Sequence, residues 1–441
     1  MNRLLLLVLF TTLASPPAHA SVFDVFGFGA RGMAMGNAQT AVAEDVSANH
    51  YNPAGLALAE SIRIDAGYLH TLTRLRLNGQ DLEVDENPGI QAGLVIPGTL
   101  GSLKLAFGLG FHLPNSRLSR IRALPESQPR FVLQDNRTQH VSIAANLAIQ
   151  LFDDWSLGAG LTFLTDTTGR VGIAGTLTPN PDEGDLANTV DVTFQTARFP
   201  SVGITWQPTE TLRMGLTWRS EMAVTLDIGA DIEAKIVDLL GPRPLAGTVS
   251  VSSFNTNFFT PHQVFLGIAH RPAEDTLLSL DVGWMHWSAF PTPTAAVTLD
   301  FALETYDTEG LIPAPTLPSA PEFHDTWVVR AGWEQKWSLG SFANVALRGG
   351  YGFEPSPAPD QPGNTNYVDM DRHILSAGIS GGFFEHPAEG EHPVQLDLAL
   401  QCTLHARRDY SKASAADPVG DYIADGETWA LMATTRFLFP W

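Results

Sequence analysis

The chain has 441 residues, 44% hydrophobic and 9% aromatic, with 47 acidic against 26 basic side chains and a formal net charge of −21. That apolar content with only 17% charged residues excludes a disordered acidic chain. A surface this negative, without a basic stripe, repels phosphates and excludes nucleic acid as a partner, and the single cysteine, Cys402, excludes an internal disulfide framework and a thiolate zinc site.

Residues 1–20 read as a secretory signal peptide: Asn2-Arg3 is a short cationic start, Leu4 to Leu13 an apolar run, and Ala18-His19-Ala20 a small-x-small cleavage site before Ser21. Pro16-Pro17 argues against a buried N-terminal helix. No later stretch reaches the roughly 18 to 20 continuous apolar residues that a membrane-spanning helix needs. A membrane location therefore requires strands.

Residues 21–61 do not alternate and are rich in glycine. Gly27, Gly29 and Gly32 match the spacing of a dinucleotide fingerprint, but no strand of a βαβ unit precedes them, and no cofactor is expected. Some forty residues of this kind cannot build a core alone, so they must pack inside something larger.

From 62 to 441 the pattern has period two. Val394, Leu396, Leu398, Leu400, Cys402 and Leu404 fall on one face, opposite Gln395, Asp397, Ala399, Gln401, Thr403 and His405. Leu212, Met214, Leu216 and Trp218 likewise oppose Arg213, Gly215, Thr217 and Arg219, and Trp155, Leu157, Ala159, Leu161 and Phe163 oppose Ser156, Gly158, Gly160 and Thr162. Breaks at Gly, Pro, Asn and Asp give six tight links, at 98–101, 152–154, 208–210, 271–275, 338–341 and 385–392. Seven longer ones lie at about 78–88, 114–137, 176–193, 236–257, 304–323, 355–370 and 406–427, and the two kinds alternate strictly. The expected fold is all-β: a 14-stranded antiparallel transmembrane β-barrel over 62–441, with the segment 21–61 as a plug in its lumen.

Aromatics flank the short links (Phe152, Trp155, Trp206, Trp337, Phe383, Phe384), as in an interfacial girdle. Phe437, Phe439 and Trp441 share one face of the last strand, which resembles the signal read by the barrel assembly machinery. Most of the acidity lies in the long loops, where divalent ions can bridge it to lipopolysaccharide. The second loop is the exception, with Arg117, Arg120, Arg122, Arg130 and Arg137 against Glu126 and Asp135, and it suits an anionic ligand or lipopolysaccharide phosphates.

By strand parity Arg219, Arg330 and Arg348 face the lumen. They are candidates for holding a ligand carboxylate, or else for pairing with lumen acids such as Asp281, Glu334 and Asp397. No Gly-x-Ser-x-Gly elbow occurs and no Ser/His pair can be placed, so an enzyme is not expected, with a barrel lipase the less favoured alternative. His386 and His392 with Glu385, Glu389 and Glu391 read as a solvated turn and not as a metal site.

The run Gly29-Ala30-Arg31-Gly32-Met33-Ala34-Met35-Gly36, then Ala41-Val42-Ala43-Glu44-Asp45 and Asn52-Pro53-Ala54, resembles the N-terminal hatch of the FadL/TodX family of outer-membrane transporters. Further matches follow in order: Phe107-Gly108-Leu109-Gly110, Trp155 to Gly160, Trp218-Arg219-Ser220-Glu221, Trp284 to Phe290, Arg348-Gly349-Gly350-Tyr351 and Asp371 to Gly378. The resemblance implies a bacterial outer-membrane protein that passively carries long-chain fatty acids or other hydrocarbons, with a hatch in which Gly29, Gly32, Gly36, Asn52, Pro53 and Ala54 hold the signature positions. It also implies that the third strand, about 102–112, bends inward at Phe107, Gly108 and Gly110 and opens the wall sideways; Gly108 and Gly110 suit such a bend and equally suit close packing against the plug. Residues 176–193, short, acidic and carrying Pro179 and Pro181, depart from the long third loop of the family, which puts a surface capture groove in doubt; Leu239, Leu240 and Leu245 of the fourth loop are alternative apolar surface. A secretion-associated barrel that holds a protein partner is the competing reading of the same resemblance.

Overall fold

The computed structural model describes residues 25–115, 127–134, 140–177, 185–236, 245–292, 296–303, 320–340, 343–383 and 393–439. The signal peptide, Arg117, Arg120, Arg122, Glu126, Asp135, Arg137, Pro179, Pro181, Leu239, Leu240, Phe384, Glu385, His386, Glu389, Glu391, His392 and Trp441 lie outside the described residues.

The strands in chain order are β1 (Ile62–Leu77), β2 (Gln80–Asp81), β3 (Gly89–Leu100), β4 (Leu103–Pro114), β5 (Arg130–Phe131), β6 (Ser142–Phe152), β7 (Trp155–Leu177), β8 (Asp185–Thr209), β9 (Leu212–Arg219) and β10 (Met222–Ile236). They continue with β11 (Leu245–Thr260), β12 (Gln263–Ala273), β13 (Thr276–Met285), β14 (Ala296–Leu303), β15 (Thr326–Leu339), β16 (Ala343–Glu354), β17 (Tyr367–Val368), β18 (Arg372–Phe383), β19 (Val394–Tyr410) and β20 (Tyr422–Phe439). Antiparallel pairing runs β1-β3-β4-β6-β7-β8-β9-β12-β13-β15-β16-β18-β19-β20 and returns to β1, from Ile62↔Phe439 to Leu77↔Ala424. This is the closed 14-stranded ring, and closure leaves no strand edge to satisfy in lipid.

The faces are inverted relative to a water-soluble protein. Leu147, Leu278, Leu280, Leu375, Leu398, Leu400 and Leu431 are exposed, whereas Asn146, Ser279, Asp281, Arg348, Asp397 and Gln401 are buried. Apolar outside and polar inside is what a hydrocarbon solvent demands of a barrel. Trp155 and Trp206 stack at 5.4 Å beside the short-turn end, and Trp218, Trp284 and Trp327 mark the opposite edge of the band.

Five of the tight links fall where alternation places them, and the sixth, 385–392, lies outside the described residues between β18 and β19. The long links differ in three places. β7 and β8 run on to Leu177 and Asp185, so the pairing continues through most of what the prolines mark as a loop; β10 and β11 form a further hairpin, Met222–Ile236 with Leu245–Thr260, so the link at 236–257 begins earlier, after β9; and the link at 304–323 begins after Met285, with β14 lying within it. Beyond the ring, β10 pairs with β7 in parallel, from Ile228↔Gly169 to Ile236↔Leu177, and β11 pairs with β14. The underlying reason is visible in the alternation of Val224, Leu226, Ile228, Ile232 and Ile236, which continues past the length needed to cross the membrane.

Candidate functional site

Residues 25–61 form two short helices, α1 (Gly29–Ala34) and α2 (Ala48–Tyr51), and a 3-10 turn over Pro53–Leu58. Helices of this length have no stability of their own. Their order comes from contact with lumen-facing side chains on strands around the ring. Asn52 shows how: its Nδ2 donates to Thr40 O (2.8 Å), Ile204 O (3.1 Å) and Thr205 Oγ1 (3.1 Å), and its Oδ1 accepts from Ala54 N–H (3.1 Å). Pro53 and Ala54 then lie against Gly158 of β7, where any side chain would collide with the Pro53-Ala54 backbone. Gly36, at φ +63°, meets the β16 backbone so closely that a Cβ would sit 2.7 Å from Tyr351 N. Gly32 packs on the Tyr51 ring, and Gly29 adopts φ +75° in open space.

Charges tie this segment to the wall. Arg31 Nε and Nη2 donate to Glu334 Oε2 and Oε1 of β15, both at 3.0 Å. Arg348 of β16 joins the same carboxylate, Nε to Oε2 at 2.6 Å, and reaches Asp397 Oδ1 at 2.6 Å through Nη1. Arg436 of β20 donates to Asp45 Oδ2 (2.6 Å) and to both oxygens of Asp65 in β1. Burial alone would raise the Asp45 carboxyl; Arg436 and Arg31 outweigh it and hold Asp45 well below the usual carboxylate range. The Thr40 N–H and hydroxyl complete the set, both donating to Asp281 Oδ2 of β13 at 2.9 and 2.7 Å.

The three arginines singled out from parity are all in the lumen. Arg348 is spent on Glu334 and Asp397, and Arg330 donates to Glu354 at 3.0 Å. Arg219 donates to His50 O at 2.9 Å and to Gln263 Oε1. Arg219 and Arg330 also stand over the Phe265 ring, at 5.4 and 4.8 Å.

The inward bend expected of the third strand is not present in this structure. β4 pairs without a register shift with β3, from Gly89↔Pro114 to Leu100↔Leu103, and with β6, from Leu105↔Ile149 to His112↔Ser142. Phe107, Gly108 and Gly110 stay in the ladder. The reason is on the lumen side, where Gly108 accommodates Asn49 and Leu56 and Gly110 accommodates Asn49 and Phe28. Both glycines serve close approach to the N-terminal segment.

One cavity opens beside the start of that segment, lined by Val25, Phe26, Val84, Gln134, Arg372 and His405 among others. Its free volume is about 30 Å³. Arg372 is committed to Glu354 (3.2 Å) and Asp369 (3.5 Å).

Residues 11–386 match the family model described as outer membrane protein transport protein (OMPP1/FadL/TodX). Alkane uptake protein A of Marinobacter nauticus is 21% identical over 408 residues, covering 87% of this chain and 84% of that protein. Among solved structures, a Pseudomonas aeruginosa FadL homologue aligns with a TM-score of 0.55 at 14% identity over 93% of this chain and 98% of its own. The CymD monoaromatic hydrocarbon channel aligns at 0.55 and 16% identity (95% and 99%), and the P. putida toluene transporter TodX at 0.53 and 15% (94% and 99%). With a closed barrel, a filled lumen and a family match over most of its length, the chain belongs to the FadL/TodX family of outer-membrane transport proteins.

Proposed function

We propose that the protein is a passive channel for hydrocarbons and related hydrophobic molecules, and that residues 21–61 are its hatch. The carrying observation is the lumen itself: it is closed by a segment held through polar contacts on many strands, such as Arg31 to Glu334 and Asp45 to Arg436, each of which can exchange for water. The apolar start of that segment, Val25 and Phe26, lines the cavity where a cargo would first displace protein. Relatives named for alkane uptake and for toluene transport support an apolar cargo.

Removal from water drives uptake, at about 0.8 kcal/mol per CH₂ buried, so no energy-coupling site or catalytic group is required. Sideways release at the third strand requires β4 to part from β3 or β6, because both ladders are continuous while the hatch is seated. Phe437 and Phe439 on the outward face of β20 suit recognition by the assembly machinery. The test is uptake of radiolabelled dodecane and toluene by cells expressing the protein. Uptake no faster than in cells lacking it would refute the channel.

A further inference from the structure

Glu44, next to the Arg436 partner Asp45, belongs to a second charged cluster at the short-turn end of the lumen. Arg213 of β9 donates from Nη1 to Glu44 Oε2 at 2.8 Å, and Arg271 of β12 places Nη2 3.7 Å from Oε1. The two arginines stand on paired strands: the register sets Ala269 opposite Arg213, and Arg271 N–H donates to Thr211 O at 2.8 Å. Arg213 is also held by the wall itself, through Nε to Gln207 Oε1 at 3.3 Å. Burial alone would raise the Glu44 carboxyl; Arg213 first, then Arg31, Arg271 and Arg63, pull it to about 2. The cradle is thus cationic, oriented by the barrel and filled by one carboxylate from the hatch.

One side of it is apolar. Met35, Ala41, Val42, Ala269 and Leu277 form a cluster, and a cavity with a free volume of about 20 Å³ lies between Ala41, Val42 and Leu277 on one side and the two arginines on the other, with Gln207, Glu210 and Thr211 at the turn completing its lining. The side chains of Arg271 and Glu44 keep 40% and 24% of their exposure, so the cluster opens beyond the short turns.

We propose that this cradle is a binding site for the carboxylate of an amphiphile with an apolar chain, and that Glu44 fills it as an internal ligand until such a carboxylate takes its place. The exchange trades one carboxylate for another, so neither guanidinium loses its counter-charge, which matters most for the more buried Arg213. The apolar cluster receives the chain. A plain alkane has no group to compete with Glu44. Carboxylated cargo therefore loosens the hatch at a point where hydrocarbon cargo does not. The backbone of the loop stays tethered meanwhile, because Arg63 Nη1 donates to Glu44 O at 3.2 Å.

This inference rests on the channel reading, and the test separates the two. Radiolabelled laurate and dodecane are bound to the full-length protein in lipid nanodiscs, as wild type, Glu44→Gln, and Glu44→Gln with Arg213→Ala and Arg271→Ala. Emptying the cradle should tighten laurate binding about tenfold, the worth of one charge-assisted contact, and removing the arginines should abolish that gain. Dodecane binding should be the same in all three. Laurate affinity unmoved by Glu44→Gln, or laurate and dodecane shifting together, overturns the proposal. Should Glu44→Gln not assemble, Arg271→Ala alone must weaken laurate binding and leave dodecane unchanged. Dodecane failing to bind any form counts against the channel reading instead.

Discussion

Arg31 grips Glu334 with two parallel hydrogen bonds of 3.0 Å, and the two residues lie 303 positions apart in the chain. The pair fastens the first helix of the hatch to the wall at β15, and Arg348 shares the same carboxylate. Replacing Glu334 with glutamine leaves two buried guanidinium groups short of charge, a loss on the order of 3–5 kcal/mol for a buried pair broken on one side. The variant barrel should show a higher single-channel conductance in planar bilayers than the wild type. Equal conductance would mean the hatch is held without this pair.

Deleting residues 21–58 removes every contact of the hatch with the ring. The remaining strands retain their complete ladder, so the barrel should still form and should admit small hydrophilic solutes. Liposome swelling with arabinose checks this. No swelling above that of the intact protein would show that something other than the hatch closes the lumen.

Phe26 bounds the cavity at the start of the hatch and is almost fully buried. Phe26→Ala enlarges the space available to an apolar guest, since a deleted core ring leaves volume that relaxation only partly fills. Dodecane bound per protein in nanodiscs should rise, while Val25→Trp, which fills the same space, should lower it.

Cysteines at Leu109 and Ala145, directly opposed across β4 and β6, with Cys402→Ser to remove the native thiol, would lock the third strand into the wall. Opposed antiparallel residues lie within the roughly 4.4–6.8 Å Cα separation of a disulfide. Dodecane uptake should fall on oxidation and return with reductant. Uptake indifferent to the bond would place the exit elsewhere.

His140, outside the strands, bonds Thr165 O through Nδ1 at 3.1 Å, and burial depresses its pKa from 6.5 to about 4. The unfolded chain therefore takes up the proton first. This histidine costs no stability above pH 6.5 and progressively lowers it as the pH falls from there to about 4. His140→Gln should flatten the decline in urea resistance between pH 7 and pH 4.5. A decline as steep as in the wild type would show that other groups set it.

Much of the barrel is written locally. Turn residues such as Gly101 and Gly340, both at positive φ, end strands wherever they occur, and alternation assigns Arg348 and Asp397 to the lumen without knowledge of any neighbour. Strand parity places Arg348, Glu334 and Asp397 in the lumen, but their pairing depends on the register of β15 and β16 and on the reach of Arg348 across to β19. What was not legible depends on which strand meets which part of the hatch. Nothing near Gly158 announces that Pro53 and Ala54 press on it, and Gly108 by itself allows a bend as readily as the close approach of Asn49 that the structure shows. Pro179 and Pro181 suggested a loop from 176, yet pairing persists to Leu177 and resumes at Asp185, because regular alternation on both strands outweighs a short interruption at the hairpin tip.

Arg436 touches Asp45 in the hatch, Asp65 in the first strand and belongs itself to the last. The seam where the ring shuts, β1 against β20, thus carries a guanidinium that Asp65 neutralises within the wall and that gains a second carboxylate once the hatch is inside. A ring that zips shut around an empty lumen forgoes the Asp45 contact. Assembly is thereby given a checkpoint: the two ends of the polypeptide register each other through one side chain, and a barrel sealed without its contents is the less stable product.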